Sequence, residues 1–131
     1  MPQHLHIVFS EPPAGVSDEE FNRWYDAHLH EILRAPGFVS ARRFRLEPDV
    51  ADPDVRYRYL ALYEIEGDPA DALAALAARG MGSKDSYTAL KGVDQGELEL
   101  PEWFERTGFA SWNCIALGDR VDADDPLPPA A

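Results

Sequence analysis

Cysteine, basic residues and long apolar runs are all scarce in this chain, and each shortage removes something. Cys114 is the single cysteine, so no internal disulfide can form. Lysine and arginine number 12 against 24 acids, a formal charge of −12. So acidic a chain repels phosphate backbones and anionic lipid, which argues against nucleic acid and membrane surfaces as partners. No apolar run approaches the ~18 residues that a membrane span needs. The start, Met1-Pro2-Gln3-His4, shows neither the basic nor the apolar region of a signal peptide, so the expected compartment is the cytoplasm. Gly80-Met81-Gly82-Ser83-Lys84 lacks P-loop spacing, and neither G-x-G-x-x-G nor G-x-S-x-G occurs. ATP, dinucleotides and a serine nucleophile therefore have no support.

Hydrophobic patterning is plentiful. The 131 residues are 45% hydrophobic and include six Phe, five Tyr and three Trp, enough for one domain with a core of its own. Leu5 to Phe9 is a short β-branched run ended by Pro12-Pro13, and reads as a first strand. Ser17 with Glu20 three residues on forms a capping box, with acids in the first turn. Behind it Phe21, Trp24, Tyr25, His28, Leu29, Ile32 and Leu33 fall on one helical face, and Pro36-Gly37 closes the helix. Residues 38–47 alternate as a second strand, with Phe38, Ser40, Arg42, Phe44 and Leu46 on one side and Val39, Ala41, Arg43 and Arg45 on the other. Residues 56–66 form a third, with Tyr57, Tyr59, Ala61, Tyr63 and Ile65 on one face. Asp68-Pro69 opens a second helix, Ala70 to Arg79, whose apolar positions are Leu73, Leu76 and Ala77. Residues 80–101 read as a long loop, with a short helix possible at Ser83 to Leu90. A last strand fits between Trp103 and Leu117, with Phe109, Ser111, Asn113 and Ile115 opposing Ala110, Trp112, Cys114 and Ala116. The order β-α-β-β-α-β predicts an α+β, ferredoxin-like domain over residues 1–118: a four-stranded antiparallel sheet with both helices on one face. The aromatic strand 56–66 suggests that a second subunit covers the other face, and residues 119–131 read as an acidic, proline-rich disordered tail.

One stretch carries a family resemblance. Trp24-Tyr25, His28-Leu29, Pro36-Gly37-Phe38, Ala41 and Arg43 match a pattern that resembles the dimeric α/β-barrel superfamily, in its EthD-like branch; Ala27 and His30 depart from the usual Glu and Pro. The resemblance implies a homodimer and a pocket between the helices and the sheet of each subunit. Relatives include cofactor-free monooxygenases, polyketide cyclases, isomerases, dehalogenating or decarboxylating enzymes and haem-binding enzymes, so the fold alone does not choose a reaction.

His28 is the main chemical candidate, because an imidazole in an apolar cleft exchanges a proton near neutral pH. A core histidine satisfied by one hydrogen bond is the plain alternative. His6 shares a strand face with His4, Val8 and Ser10, and can reach the pocket beside His28; metal binding by the His4-x-His6 pair lacks a third ligand. Tyr25 is His28's neighbour in sequence. His30 lies about 200° round the helix and faces solvent. Phe21, Trp24, Tyr63 and Trp112 supply aromatic walls, and Arg43 an anchor for a carboxylate, weighed against core packing, packing at the dimer face and ordinary ion pairing. Cys114 reads as a small hydrophobe.

The leading expectation is a cofactor-independent acid/base enzyme of isomerase, lyase or cyclase type, acting on a small, mostly apolar carbonyl or phenolic compound. It carries no cofactor and no metal, and its partners are the substrate and a second copy packed through the open sheet face. The alternatives are a non-catalytic accessory or ligand-binding dimer, then a haem-binding protein or cofactor-free monooxygenase.

Overall fold

The computed structural model describes residues 4–48, 56–79 and 101–129. Its elements are β1 (His4–Glu11), α1 (Asp18–Ile32), β2 (Phe38–Arg45), β3 (Tyr59–Ile65), α2 (Pro69–Ala78) and β4 (Gly108–Ile115), with a 3-10 turn at Phe104–Arg106 ahead of β4. The expected short helix at Ser83 to Leu90 lies outside the described residues.

Local chemistry sets the helix starts. The Ser17 hydroxyl accepts the Glu20 backbone N–H at 3.1 Å, and the Asp68 carboxylate accepts that of Ala70 at 2.9 Å with Pro69 in the first turn. Each bond satisfies a donor that the helix itself leaves unpaired. After α1 the chain turns at Gly37, whose φ of 96° lies in the left-handed region. A Cβ there would sit 2.9 Å from Ala72 Cβ, so the turn also lets α2 approach.

The strands form one antiparallel sheet in the order β2-β3-β1-β4. Together with the two helices this is the ferredoxin-like α+β arrangement. Tyr59, Ala61, Tyr63 and Ile65 of β3 are buried against Phe21, Tyr25 and Ile32 of α1 and Ala72 and Leu76 of α2. The register His6↔Tyr63 and His6↔Asn113 puts His6 and Asn113 on that same side. Leu60, Leu62, Ile7, Phe9 and Trp112 point to the opposite side, which no helix among the described residues covers.

Four details differ from the sequence reading. A register shift between Phe38 and Ser40 puts Phe38 on the helix side with Ala41 and Arg43, against Ser40, Arg42 and Phe44, because one extra residue inverts the alternation. Tyr59 and Tyr63 belong to the helix-facing core rather than to an assembly face, and Tyr57 leaves their stripe to lie 6.0 Å from the Phe9 ring. On α2 the buried positions are Pro69, Ala72 and Leu76, while Ala77 is exposed. Trp103 and Phe104 are not in the last strand: both are buried in the turn before it, where Thr107 Oγ1 donates to the Trp103 carbonyl at 3.4 Å.

Candidate functional site

The helix-facing side of the sheet gathers most of the polar chemistry of the interior. α1 projects Phe21, Tyr25, His28, Glu31 and Ile32 inward, and all five are buried. His28 Nδ1 lies 3.3 Å from Glu31 Oε1, a spacing of three residues that sets both on one helical face. The imidazole is stacked flat on Trp24, with ring centroids 4.7 Å apart and planes 13° from parallel, and meets the Tyr25 ring edge-on at 5.8 Å. Trp103 and Phe104 close the far side of Trp24 at 5.5 and 5.6 Å.

Tyr25 links this cluster to a second one. Its hydroxyl shares a hydrogen bond with Tyr63 and the Arg43 guanidinium lies 4.5 Å from its ring, yet burial dominates and pushes the phenol up to about 12. Tyr63 in turn sits 6.0 Å from the His6 ring, with Phe38 at 6.5 Å on another side. His6 donates its Nδ1–H to Asn113 Oδ1 at 2.9 Å, which leaves Nε2 as the basic nitrogen. Burial holds the His6 imidazole below its usual pKa, partly offset by Asn113, so it stays neutral at physiological pH. From the exposed Asn113, His6, Tyr63, Tyr25, His28 and Glu31 thus succeed one another into the protein interior.

Three buried polar atoms have no partner among the described residues: Trp24 Nε1, Ser10 Oγ and Arg43 Nε. Such atoms are rare, because an unmet buried donor costs about 1–3 kcal/mol. Trp24 Nε1 is the notable one, since its indole carries the His28 stack. The remainder of Arg43 is committed: Nη1 donates to Asp26 at 3.1 Å, Nη2 to Asn22 at 2.9 Å, and Tyr59 lies beneath at 5.0 Å.

The structure therefore brings His28, Tyr25 and Trp24 together and joins them to His6 through Tyr63. Phe21 is wholly buried between Tyr25, Tyr59 and Trp103 and presents no free surface. Arg43 braces the same core. Trp112 is separate: it stands on the uncovered face, 63% exposed, because its partner Ile7 points away from the helices. His30 is exposed, and His4 Nδ1 accepts the Ala116 N–H at 3.2 Å. No group of three metal-ligating side chains occurs among the described residues. Glu31, Asn113, Trp103 and Phe104 were missed from sequence. The signal for Glu31 was its spacing from His28; Asn113 becomes a partner of His6 only once β1 and β4 are in register.

No protein-family model matches the chain, and no curated protein matches it. Solved structures match in fold. The haem-degrading protein MhuD of Mycobacterium tuberculosis, with two haems bound in its active site, is 19% identical over 90% of this chain and 99% of its own, with a TM-score of 0.54. SnoaB, a cofactor-independent oxygenase of Streptomyces nogalater solved as an asparagine-to-alanine variant, is 20% identical over 97% and 99%, with a TM-score of 0.50. At these identities the likeness establishes the fold. No helix among the described residues is long and apolar enough to cross a membrane.

Proposed function

We propose that this chain is a cofactor-independent oxygenase acting on a small aromatic molecule with an acidic phenolic or enolisable position. The observation that carries this reading is the buried His28–Glu31 pair, its imidazole stacked on a tryptophan whose indole N–H has no partner among the described residues. A proton acceptor and an unmet hydrogen-bond donor lie side by side in an aromatic setting. His28 takes the proton, and Glu31 steadies the imidazolium that forms. The Trp24 N–H meets the oxygen on which charge develops, and Tyr25 and Tyr63 shape the wall. Dioxygen then oxidises the electron-rich anion. Overall a ring methylene gives up both hydrogens; one atom of dioxygen becomes the new carbonyl oxygen, and the other leaves with the two hydrogens as water. The cofactor-independent oxygenase among the fold neighbours supports this class of chemistry.

The same base serves a proton-transfer isomerase, lyase or cyclase, and oxygen stoichiometry separates the two. A haem site is suggested by the other neighbour, but the residues do not fit one. Phe21, Tyr25, Tyr59, Tyr63 and Trp103 form the buried core between α1 and the sheet and offer no basic group to a propionate. Arg43, the one arginine among them, is tied to Asp26 and Asn22 rather than open to a propionate. The His28 ring lies flat on Trp24, and residues 80–100 contain no histidine.

We also read the chain as a homodimer of the dimeric α/β-barrel type, EthD-like in its α1 motif, with the uncovered face of the sheet at the interface and residues 1–118 as the folded unit. Ile7, Phe9, Leu60, Leu62, Phe44 and Trp112 on that face support it.

The test is oxygen uptake with polycyclic phenols and enolisable aryl ketones, without added metal, flavin or haem. The expected result is uptake that falls roughly a hundredfold in His28→Ala with the circular dichroism unchanged. Turnover without oxygen uptake, or uptake equal in both proteins, overturns it.

A further inference from the structure

The two histidines of β1 share the helix-facing side of the strand and are held in opposite tautomers. His4 Nδ1 accepts the Ala116 N–H at 3.2 Å, so its proton sits on Nε2. His6 Nδ1 donates to Asn113 Oδ1 at 2.9 Å, so its Nε2 keeps a lone pair. Strand pairing sets both bonds, since Ile115 and Asn113 lie opposite His4 and His6. The tautomers decide what the pair can bind. His4 has no lone pair to spare, so the two do not chelate a metal ion. His6 offers a single acceptor.

That acceptor is placed where a ligand can use it. The imidazole is only 6% exposed, yet no described residue donates to Nε2. Nor is the atom sealed from solvent, as Trp24 Nε1, Ser10 Oγ and Arg43 Nε are. Aromatic rings stand around it, Tyr63 at 6.0 Å and Phe38 at 6.5 Å, both buried. Burial lowers the pKa of the ring and keeps it neutral, and neither Asn113, Tyr63 nor Phe38 brings a charge. A neutral acceptor in an apolar setting favours a hydrogen-bond donor over a carboxylate or a phosphate. Tyr63 and Tyr25, bonded through their hydroxyls, separate His6 from His28. The bond to Nε2 therefore falls on a different part of the ligand from the carbon that His28 deprotonates.

We propose that His6 Nε2 is a specificity anchor that accepts a hydrogen bond from a hydroxyl group of the aromatic substrate, with Asn113 as the residue that positions it. The substrate class narrows accordingly, to aromatic molecules with a hydroxyl remote from the reacting carbon. The anchor rests on the reading of the site above, but binding tests it without turnover. Asn113 acts through His6 alone. Its amide fixes the Nδ1–H tautomer; without it the ring is free to carry its proton on Nε2, where it cannot accept.

The test is the binding of naphthol and of its methyl ether, which differ in the one donor, followed on the full chain by NMR of the histidine ring nitrogens. Naphthol is expected to shift the His6 Nε2 resonance and to bind about tenfold more tightly than the ether. A site built around an acceptor rejects the analogue that lacks the donor. His6→Leu is expected to abolish the preference. Asn113 is exposed, so Asn113→Ala is expected to keep the fold, with circular dichroism as the check, and to lose most of the preference. A merely structural His6–Asn113 bond would leave the preference unmoved. Equal binding of the two compounds, binding of neither, or a preference that survives both substitutions overturns the anchor. A preference tied to His6 in a protein without oxygen uptake overturns the oxygenase and leaves the anchor standing, and oxygen uptake without the preference does the reverse.

Discussion

The two faces of the sheet are made from the same four strands and have opposite character. Toward the helices stand His6, Ser10, Tyr59, Tyr63 and Asn113, met by Tyr25, His28 and Glu31 of α1. Away from them stand Leu5, Ile7, Phe9, Leu60, Leu62 and Phe44, with Arg42 and Glu64 among them. Residues one position apart on a strand therefore serve different ends. All of the polar groups named there but the exposed Asn113 lie where water is excluded, and the aliphatic side is the one that the proposed second copy would use.

Neighbours on β3 give the strongest way to break this contrast. Ala61 is 1% exposed and faces the core, while Leu62 is half-buried on the other side. Ala61→Asp puts an unpaired carboxylate among aromatic rings and is expected to abolish folding at room temperature, costing several kcal/mol. Leu62→Asp is expected to leave the protomer folded and to split the proposed dimer. Circular dichroism with sedimentation checks both, and equal unfolding by the two substitutions would erase the distinction between the faces.

Gly37→Ala comes next. It combines a left-handed φ of 96° with a 2.9 Å approach to Ala72 Cβ, so α2 must shift. A loss of about 1–3 kcal/mol in chemical denaturation is expected, with the same change at Gly15, where a Cβ meets nothing within 4 Å, costing less.

Much of this contrast was legible in the sequence. Ser17 with Glu20 and Asp68 with Pro69 marked both helix starts, since capping depends only on adjacent residues. The strand alternation separated Phe109, Ser111, Asn113 and Ile115 from Ala110, Trp112 and Cys114. It did not say which set turns inward, because both mix polar and apolar residues, and Trp112 fell on the wrong side for that reason. The register shift at Val39 left no mark in an alternating run. Trp103 and Phe104 read as strand because their burial in a turn depends on Trp24, far earlier in the chain. Glu31 was passed over because a carboxylate interrupts an apolar stripe, although its place three residues after His28 made the pair readable.

Smaller effects sharpen the helix-facing side. Tyr25 ionises in the fold only near about 12, against 10.0 unfolded. Its stabilising contribution is present below pH 10 and is lost as pH rises from there toward the folded value. Tyr25→Phe is expected to flatten the alkaline limb of the melting curve against pH. His6 gives the mirror case: burial lowers its pKa from 6.5, so below that value the unfolded chain binds the proton more readily than the fold does. Stability is expected to fall as pH drops beneath 6.5, and His6→Gln, which keeps a donor for Asn113, is expected to flatten that limb. An acid limb unchanged by His6→Gln would show that another group sets it.

The account turns on His28 and Glu31 being held for work on a ligand rather than for the core. The direct measurement is the melting temperature of the double variant His28→Leu with Glu31→Leu, beside that of wild type. A buried polar pair kept for function is retained at some cost to stability, and apolar replacement of both partners is often neutral or stabilising. The account predicts melting at or above the wild-type temperature, with oxygen uptake abolished. A fall of several degrees, or turnover that survives, would contradict it and return the pair to the architecture of α1.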